Sequence, residues 1–317
     1  MSVDQIKTIG VVGAGLMGHG IAQVFAQAGY KVLLNDVNQS LLDNGLSSIE
    51  ADLRKLTQYG LLSEEEAKGA FSRVSPVLDL TEVGRAADFV VEAVTENVDV
   101  KRQVFSTLDE SAPPHTILAS NTSGIPITLL ASATRRPDKV VGTHFWNPPI
   151  LLQAVEIVRG EKTSDVTIQV AKTLLEKVGK KPVVVNKDVP GQIGIRILYA
   201  IIREATSLVE KGVATPEDID TVIKETLGTR FPVLGVFDLV DLSGVNILYA
   251  VSKIVYKDLD NATEPHNIVK QMVERNELGV KTGKGFYDWS KRSASEVMRI
   301  RDEYLIKILR ERRASST

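Results

Sequence analysis

The sequence predicts an α/β fold: a doubly wound, mostly parallel sheet followed by an all-helical C-terminal domain. Three observations predict it. A β-branched run, Thr8-Ile9-Gly10-Val11-Val12, leads directly into Gly13-Ala14-Gly15-Leu16-Met17-Gly18 and then a helical stripe of Ile21, Val24, Phe25 and Ala28. Further short apolar runs alternate with helical patterns as far as Val185, the rhythm of strand–helix–strand units. Beyond Lys187 strand-like runs all but vanish and helical spacing takes over.

A chain of 317 residues is long for one hydrophobic core, so two domains are expected. The change of character puts the boundary near 186, giving a nucleotide domain over 1–186 and a helical substrate and dimerisation domain over 187–317. A hydrophobic fraction of 43% and a charged fraction of 25% are ordinary for a water-soluble globular chain. A net charge of −2 gives no reason to expect nucleic acid or an anionic membrane surface as partner. The absence of cysteine excludes disulfides, thiolate catalysis and thiolate zinc sites. No secretory leader and no span-length apolar run is legible, so a cytoplasmic location is expected.

Taken in order, Lys31 to Asp36 reads as the second strand. Residues 39–59 keep a helical stripe (Leu41, Leu42, Leu46, Ile49, Leu53, Leu56), and Ser63 followed by Glu64-Glu65-Glu66 reads as an N-cap with an acidic first turn. Strands are expected at 89–93, 117–120, 140–143, 155–158 and 182–185. Asp188-Val189-Pro190 reads as a helix start with a stripe at Ile193, Ile197, Ile201 and Ala205. Thr215-Pro216-Glu217-Asp218 combines an N-cap, a proline at the first helical position and early acids, so another helix starts there.

Strand, G-x-G-x-x-G and helix together form the context a dinucleotide turn needs. Gly13 permits the tight turn, Gly15 lets a pyrophosphate approach the backbone, and Gly18 lets the helix pack against the strand. The free N–H groups and the helix dipole then meet the phosphates, with Leu16 and Met17 in the same turn. Asp36 closes the second strand 18 residues after Gly18, near the spacing of a ribose 2′-OH partner. A carboxylate there repels a 2′-phosphate, so NAD is expected rather than NADP; the alternative for Asp36 is a helix N-cap. This is the reading of a Rossmann domain.

His144, in Thr143-His144-Phe145-Trp146-Asn147-Pro148-Pro149, is the candidate acid–base group, with Glu156 close by in sequence. Oxidising an alcohol requires a base for the hydroxyl proton, and a neutral imidazole suits that task at neutral pH. A carboxylate beside it fixes the tautomer and stabilises the imidazolium. Glu96, Asn121-Thr122-Ser123 and His144 each fall just after an expected strand, where ligands bind in such sheets.

On these residues the chain resembles the 3-hydroxyacyl-CoA dehydrogenase family, including its 3-hydroxybutyryl-CoA members. The resemblance runs from the glycine turn through Glu92-Ala93, Lys101, Ser120-Asn121-Thr122-Ser123, the His144 segment and Pro190-Gly191 to Gly279-Val280-Lys281-Thr282-Gly283-Lys284-Gly285-Phe286-Tyr287. It implies reversible NAD-dependent oxidation of the 3-hydroxyl of an L-3-hydroxyacyl-CoA, as in fatty acid metabolism, and a homodimer formed through the helical domain. It also implies His144 as base, Glu156 as its orienting carboxylate and Ser123 as a hydrogen-bond partner of the substrate oxygen. Glu96, Lys101, Ser123, Asn147 and Lys281 would line the nicotinamide half of the cofactor site, with Asp36 on the adenine ribose. The blander alternatives are an N-cap for Ser123 and solvated surface for Lys101 and Lys281.

Two departures keep a second reading open. The family pattern places an asparagine where this chain has Ile195, which has no polar group to offer a substrate or the histidine. Gln192, three residues earlier and expected on the same helix face, is the candidate replacement. The segment after the histidine, HFWNPPILLQAVE, and Leu208-Val209-Glu210-Lys211-Gly212 also resemble relatives of the gulonate and carnitine dehydrogenase type. A dehydrogenase of a small CoA-free hydroxy acid or hydroxymethyl compound is therefore the alternative, and a weakly active NAD-binding paralogue the next. Arg54 and Lys55 on the second helix are placed to hold CoA or simply to face solvent. Dehydrogenases of the same turn that use a lysine base are set aside, because 192–205 contains no lysine. Residues 295–313 form an amphipathic stripe expected to pack on the dimer or on its own helical domain.

Overall fold

The computed structural model describes residues 2–314. The chain divides into two compact units, one formed by residues up to Ile195 together with the helix from Ile300 onward, the other by Arg196–Arg299. The first unit therefore runs past the expected boundary at 186 and takes up the tail helix that the sequence assigned to the second.

The first unit is built on a sheet in the order β3-β2-β1-β4-β5-β6-β7-β8. Its strands are β1 (Thr8–Val12), β2 (Lys31–Asn35), β3 (Val74–Val77), β4 (Phe89–Glu92), β5 (Ile117–Ser120), β6 (Val140–Phe145), β7 (Ala154–Val158) and β8 (Lys181–Val185). All pairings up to β6 are parallel; β6 and β7 are antiparallel, and β7 and β8 parallel again. The helices are α1 (Gly18–Gln27), α2 (Gln39–Gln58), α3 (Glu64–Ser72), α4 (Leu80–Ala86), α5 (Val98–Ser111), α6 (Ile127–Ala131) and α7 (Asp165–Lys177). They cover both faces, so most central strands are apolar on both sides, as buried parallel strands are. Two apolar clusters result, one around Ile9, Phe25, Val91 and Phe145, the other around Val90, Phe105, Leu118 and Ile127.

Ser63 caps α3 as expected, in a reciprocal capping box with Glu66, and α2 is capped by Asn38 rather than by Asp36. The strand β3 was not anticipated. Pro76 lies in it, which a sheet tolerates at an edge where the missing N–H loses no ladder bond. His144 lies within β6 rather than after it.

The second unit comprises α8 (Gly194–Glu210, whose first two residues belong to the first unit), α9 (Pro216–Val222), α10 (Val236–Ser243), α11 (Val245–Val255) and α12 (Asn267–Glu274), and α13 (Ala294–Ala314) begins in it. Helix α9 carries the expected Thr215 cap and N1 proline. The expected start of α8 at Asp188-Val189-Pro190 is corrected: 190–193 form a turn, with Gly191 at φ 77 and Gln192 at φ 45, and the helix begins at Gly194. Left-handed residues cannot enter an α-helix, so Gln192 and Ile195 share no helix face.

The tail helix packs within the first unit. Ile306 and Leu309 join Leu56 of α2 and Leu151 of the β6–β7 loop in a small apolar cluster. Lys55 Nζ donates to Asp302 at 2.5 Å and the Tyr59 hydroxyl to Glu303 at 2.7 Å. Lys55 is thus paired, not a solvated cation. No described helix is long and apolar enough to cross a membrane.

Candidate active site

The order of strands reverses beside β1, where β2 lies on one side and β4 on the other. A crevice at the carboxyl ends is expected there. The glycines of the turn meet the demands made of them. A Cβ on Gly13 would stand 2.7 Å from the Ala93 carbonyl oxygen and one on Gly18 1.6 Å from that of Gly13, whereas one on Gly15 would meet nothing within 4 Å. That open face in front of Gly15 is where a pyrophosphate can approach the backbone. Leu16, largely exposed, and Met17 continue the turn. Asp36 accepts from the Ala14 N–H at 2.7 Å through one oxygen and from Val37 N–H through the other. Its carboxylate is therefore bound to the phosphate turn itself, and a dinucleotide with a free ribose 2′-OH suits these residues.

Strand β4 ends in Glu92, fully buried, and this carboxylate organises the next layer. It accepts from Lys101 Nζ at 2.6 Å, from the Ser120 hydroxyl at 2.7 Å and from the Val94 N–H at 2.7 Å. Lys101 is 1% exposed, neither a solvated surface group nor open to a ligand from outside. Its ammonium also lies 3.4 Å from Glu96. Glu96 in turn accepts from the Thr122 hydroxyl at 2.6 Å and from the Ser123 and Gly124 N–H groups at 3.0 Å each. Burial pushes the Glu96 carboxyl up, but those donors and Lys101 outweigh it and hold it below the usual carboxylate range. The chain Glu92–Lys101–Glu96 thus fixes the 122–124 loop.

That loop brings Ser123 Oγ to 3.2 Å from His144 Nε2. On the other side of the ring, His144 Nδ1 lies 2.8 Å from Glu156 Oε2. The second oxygen of Glu156 accepts from the N–H groups of Ile193 and Gly194 at 2.8 and 2.9 Å. These are orphan donors at the start of α8, and the helix dipole adds to them. Burial raises the Glu156 carboxyl, but its bonds to His144, Gly194 and Ile193 prevail and hold it below the ordinary range. An ionised carboxylate only accepts, so Nδ1 carries the proton and Nε2 presents its lone pair toward Ser123. The arrangement can take a proton at Nε2 and stabilise the resulting cation at Nδ1.

Around the imidazole, Trp146 stacks at 5.1 Å between ring centroids, tilted by 57°. The indole leaves room only for glycine at 194, where a Cβ would come 2.3 Å from Cζ2. Asn121 Oδ1 accepts from the Phe145 N–H and so holds the strand that carries the histidine. Lys180, mostly buried, donates to the carbonyls of Pro149 and Leu152 in the β6–β7 loop, and burial pushes its ammonium down to about 8. Asn147 is exposed in the same loop, next to the cis peptide bond to Pro148. Lys281, also exposed, belongs to a turn of the second unit between Gly279 and Lys284.

Of the residues singled out from sequence, His144, Glu156, Ser123, Glu96 and Lys101 come together in one connected network. Glu92, Asn121, Thr122, Trp146, Lys180 and the 193–194 N–H groups were not given these positions. Two signals were legible: Glu92, an acid closing an otherwise apolar strand, and Asn121-Thr122, which follow the next strand directly.

The 3-hydroxyacyl-CoA dehydrogenase NAD-binding domain model matches residues 8–189 and the C-terminal domain model of the same family matches 191–289. A probable 3-hydroxybutyryl-CoA dehydrogenase of Bacillus subtilis is 40% identical over 291 residues, 92% of this chain and 100% of that one. The crystal structure of (S)-3-hydroxybutyryl-CoA dehydrogenase from Ralstonia eutropha superposes with a TM-score of 0.76 at 36% identity, covering 90% of this chain and 99% of that one. The crystal structure of 5-formyl-3-hydroxy-2-methylpyridine 4-carboxylic acid 5-dehydrogenase, an NAD+-dependent dismutase, superposes with a TM-score of 0.90 at 34% identity, covering 96% and 98%.

Proposed function

This chain belongs to the 3-hydroxyacyl-CoA dehydrogenase family, an NAD-dependent oxidoreductase family, and we propose that it oxidises the 3-hydroxyl of an L-3-hydroxyacyl-CoA, such as 3-hydroxybutyryl-CoA, reversibly to the 3-oxo compound. The observation that carries the reading is the placement of His144 between Glu156 at Nδ1 and Ser123 at Nε2.

In the oxidative direction Nε2 takes the hydroxyl proton, and the positive charge that develops on the ring is met by Glu156. The bonds from Ile193 and Gly194 keep that carboxylate ionised and aimed. Ser123 holds the substrate oxygen beside Nε2 and donates to it as negative charge gathers there. Bound NAD supplies the hydride acceptor. Asp36 would receive the adenine ribose, the glycine turn the pyrophosphate, and Glu96 and Asn147 the nicotinamide half. Lys101 acts from beneath, by fixing Glu96.

The helical unit supports a homodimer. Among its described residues no hydrophobic side chain is buried, and large ones stand bare, Phe237 at 83% and Ile254 at 75% exposed. An apolar groove of about 620 Å³ lined by Ile197, Ile201, Leu208, Ile219 and Val222 adds to that surface. Apolar area on this scale calls for cover by another copy. A cytoplasmic location suits the soluble substrates.

A CoA-free hydroxy acid or hydroxymethyl compound is the second reading, and two observations favour it. Ile195 offers no polar group. The dismutase structure superposes with a TM-score of 0.90, against 0.76 for the 3-hydroxybutyryl-CoA dehydrogenase structure.

The test is NADH formation at saturating NAD with 3-hydroxybutyryl-CoA, beside a panel of free hydroxy acids, with His144→Ala as control. Thioester turnover that disappears in the variant supports the first reading. Turnover of a free acid alone replaces it with the second.

A further inference from the structure

His19 stands in the first turn of α1, one residue past the last glycine of the nucleotide turn. Both of its ring nitrogens face oxygen acceptors. Nδ1 lies 2.8 Å from the Gly15 carbonyl oxygen, and Nε2 lies 3.4 Å from a carboxylate oxygen of Asp52 on α2. A neutral imidazole carries one N–H and satisfies one of these; the imidazolium satisfies both. Burial pushes the pKa of the ring down, but its bonds to Asp52 and to the Gly15 carbonyl outweigh that and hold it above the usual value. Asp52 is the one ionised side chain that acts on it among the described residues. Lys55, further along α2, is turned to Asp302, and Asp36 after β2 is bonded to the Ala14 and Val37 N–H groups. The charged residues of α3 do not act on the ring, and the β6–β7 loop meets α1 at Gly20 with the Pro149 ring.

What this cation holds is the back of the phosphate turn. The Gly15 oxygen also accepts from the His19 backbone N–H at 3.2 Å, so two donors fix one carbonyl. The Gly15–Leu16 peptide is trans, and its N–H points away from its carbonyl. That Leu16 N–H bonds to no other described residue, and the space in front of Gly15 is open. A positive donor on one edge of the peptide therefore leaves the other edge aimed, and more strongly polarised, for an anion. We propose that His19 is a positioning residue of the cofactor site, an imidazolium that pins the Gly15–Leu16 peptide from behind, so that affinity for the pyrophosphate rises when His19 takes up a proton. Loss of that proton removes a positive charge beside the turn and leaves the Asp52 carboxylate uncompensated. Either substrate class meets the same device, because NAD is common to both.

The experiment measures the calorimetric Kd of ADP-ribose on the full chain between about pH 6 and 9, the range in which an imidazole titrates. ADP-ribose carries the pyrophosphate without the nicotinamide, which keeps the protonation of His144 out of the comparison. Wild type is expected to bind about 3- to 30-fold more weakly at the upper end, the worth of a unit charge within about 8 Å of an anion near a protein surface. By reciprocity the NMR titration of the His19 ring protons moves up on binding by the same factor, about 0.5 to 1.5 pH units. His19→Gln, which keeps an amide donor for the Gly15 carbonyl, binds at every pH as wild type does at the upper end. Asp52→Asn moves the affinity profile to lower pH. A merely structural histidine would leave wild type flat and, on substitution, weaken binding by one factor at all pH values. A flat wild-type profile, or one that persists in His19→Gln, overturns the assignment and leaves the dehydrogenase reading intact. No binding of ADP-ribose at any pH overturns it together with the placement of the pyrophosphate on this turn.

Discussion

His144 and Glu156 are register partners across the antiparallel β6–β7 pair, and the same two side chains meet at 2.8 Å between Nδ1 and Oε2. Directly opposed residues on one face of a sheet have their Cβ atoms about 5 Å apart, close enough for an imidazole and a carboxylate to bond without stretching either. The sheet therefore sets the geometry of the dyad.

Glu156→Gln tests what the carboxylate contributes. The amide oxygen still accepts from Ile193 and Gly194, but its N–H now faces Nδ1 and moves the imidazole proton to Nε2, where a base must be unprotonated. Turnover is expected to fall about 10²- to 10⁴-fold with the fold retained. Steady-state kinetics with circular dichroism on the same sample checks this; a kcat within threefold of wild type rules it out.

Gly194→Ala places a methyl 2.3 Å from Trp146 Cζ2 and must displace an indole that stacks on His144. A loss of about 1–3 kcal/mol is expected from overpacking, together with reduced turnover. Adding Trp146→Phe should restore part of the stability, a coupling that a double-mutant cycle measures. Additive effects would show that the two residues do not compete for space.

Lys101→Met leaves Glu92, fully buried, without its cation. Removing one member of a buried pair typically costs about 3–5 kcal/mol, read as a shift in the urea midpoint. A change under about 1 kcal/mol would mean that Ser120 and the Val94 N–H suffice for Glu92.

Ile306→Ala empties a site shared by α13, Leu56 and the loop residue Leu151. A loss of about 2–5 kcal/mol follows from the cavity. Because Leu151 lies in the loop joining His144 to Glu156, turnover should fall further than for an alanine exchange at exposed Met298. Equal activity in the two variants would make the tail irrelevant to the site.

Lys180 gives stability a distinct pH dependence. Burial lowers its ammonium from 10.5 to about 8, so between these values the unfolded chain holds more protons than the folded one. Stability contributed by this group is present above the unfolded value and is lost as pH falls through the folded one. The stability of wild type relative to Lys180→Met should therefore rise between pH 8 and 10.5, by at most about 3 kcal/mol. Urea midpoints at the two ends decide it, and a flat difference would show that Lys180 is hydrated.

The nucleotide half was legible because its signals are local. A glycine turn between strand and helix needs only six consecutive residues, and Asp36 is found by counting from Gly18. The caps at Ser63 and Thr215 act within four residues of themselves, so periodicity and residue type locate them. The strand Val74–Val77 escaped because Pro76 argues against a strand, and only an edge position allows it. The start of α8 was misplaced because Pro190 suits a first helical turn, while nothing local reveals that Gln192 is left-handed.

What the sequence determined by itself is the fold class and the dinucleotide turn, since both depend on residue type and short spacing; it also singled out His144, Glu156 and Ser123, which the structure brings together. Tertiary structure alone decided that Glu156 is held by the first N–H groups of α8, that Lys101 is a buried counter-ion, that α13 braces the β6–β7 loop, and that Gln192 is left with an unpaired acceptor. Those facts rest on contacts between residues 9 to 247 positions apart in the chain. Short-range preferences carry no information about which distant donor a buried carboxylate will find; packing settles that, because a charge removed from water must find its partner wherever the fold brings one.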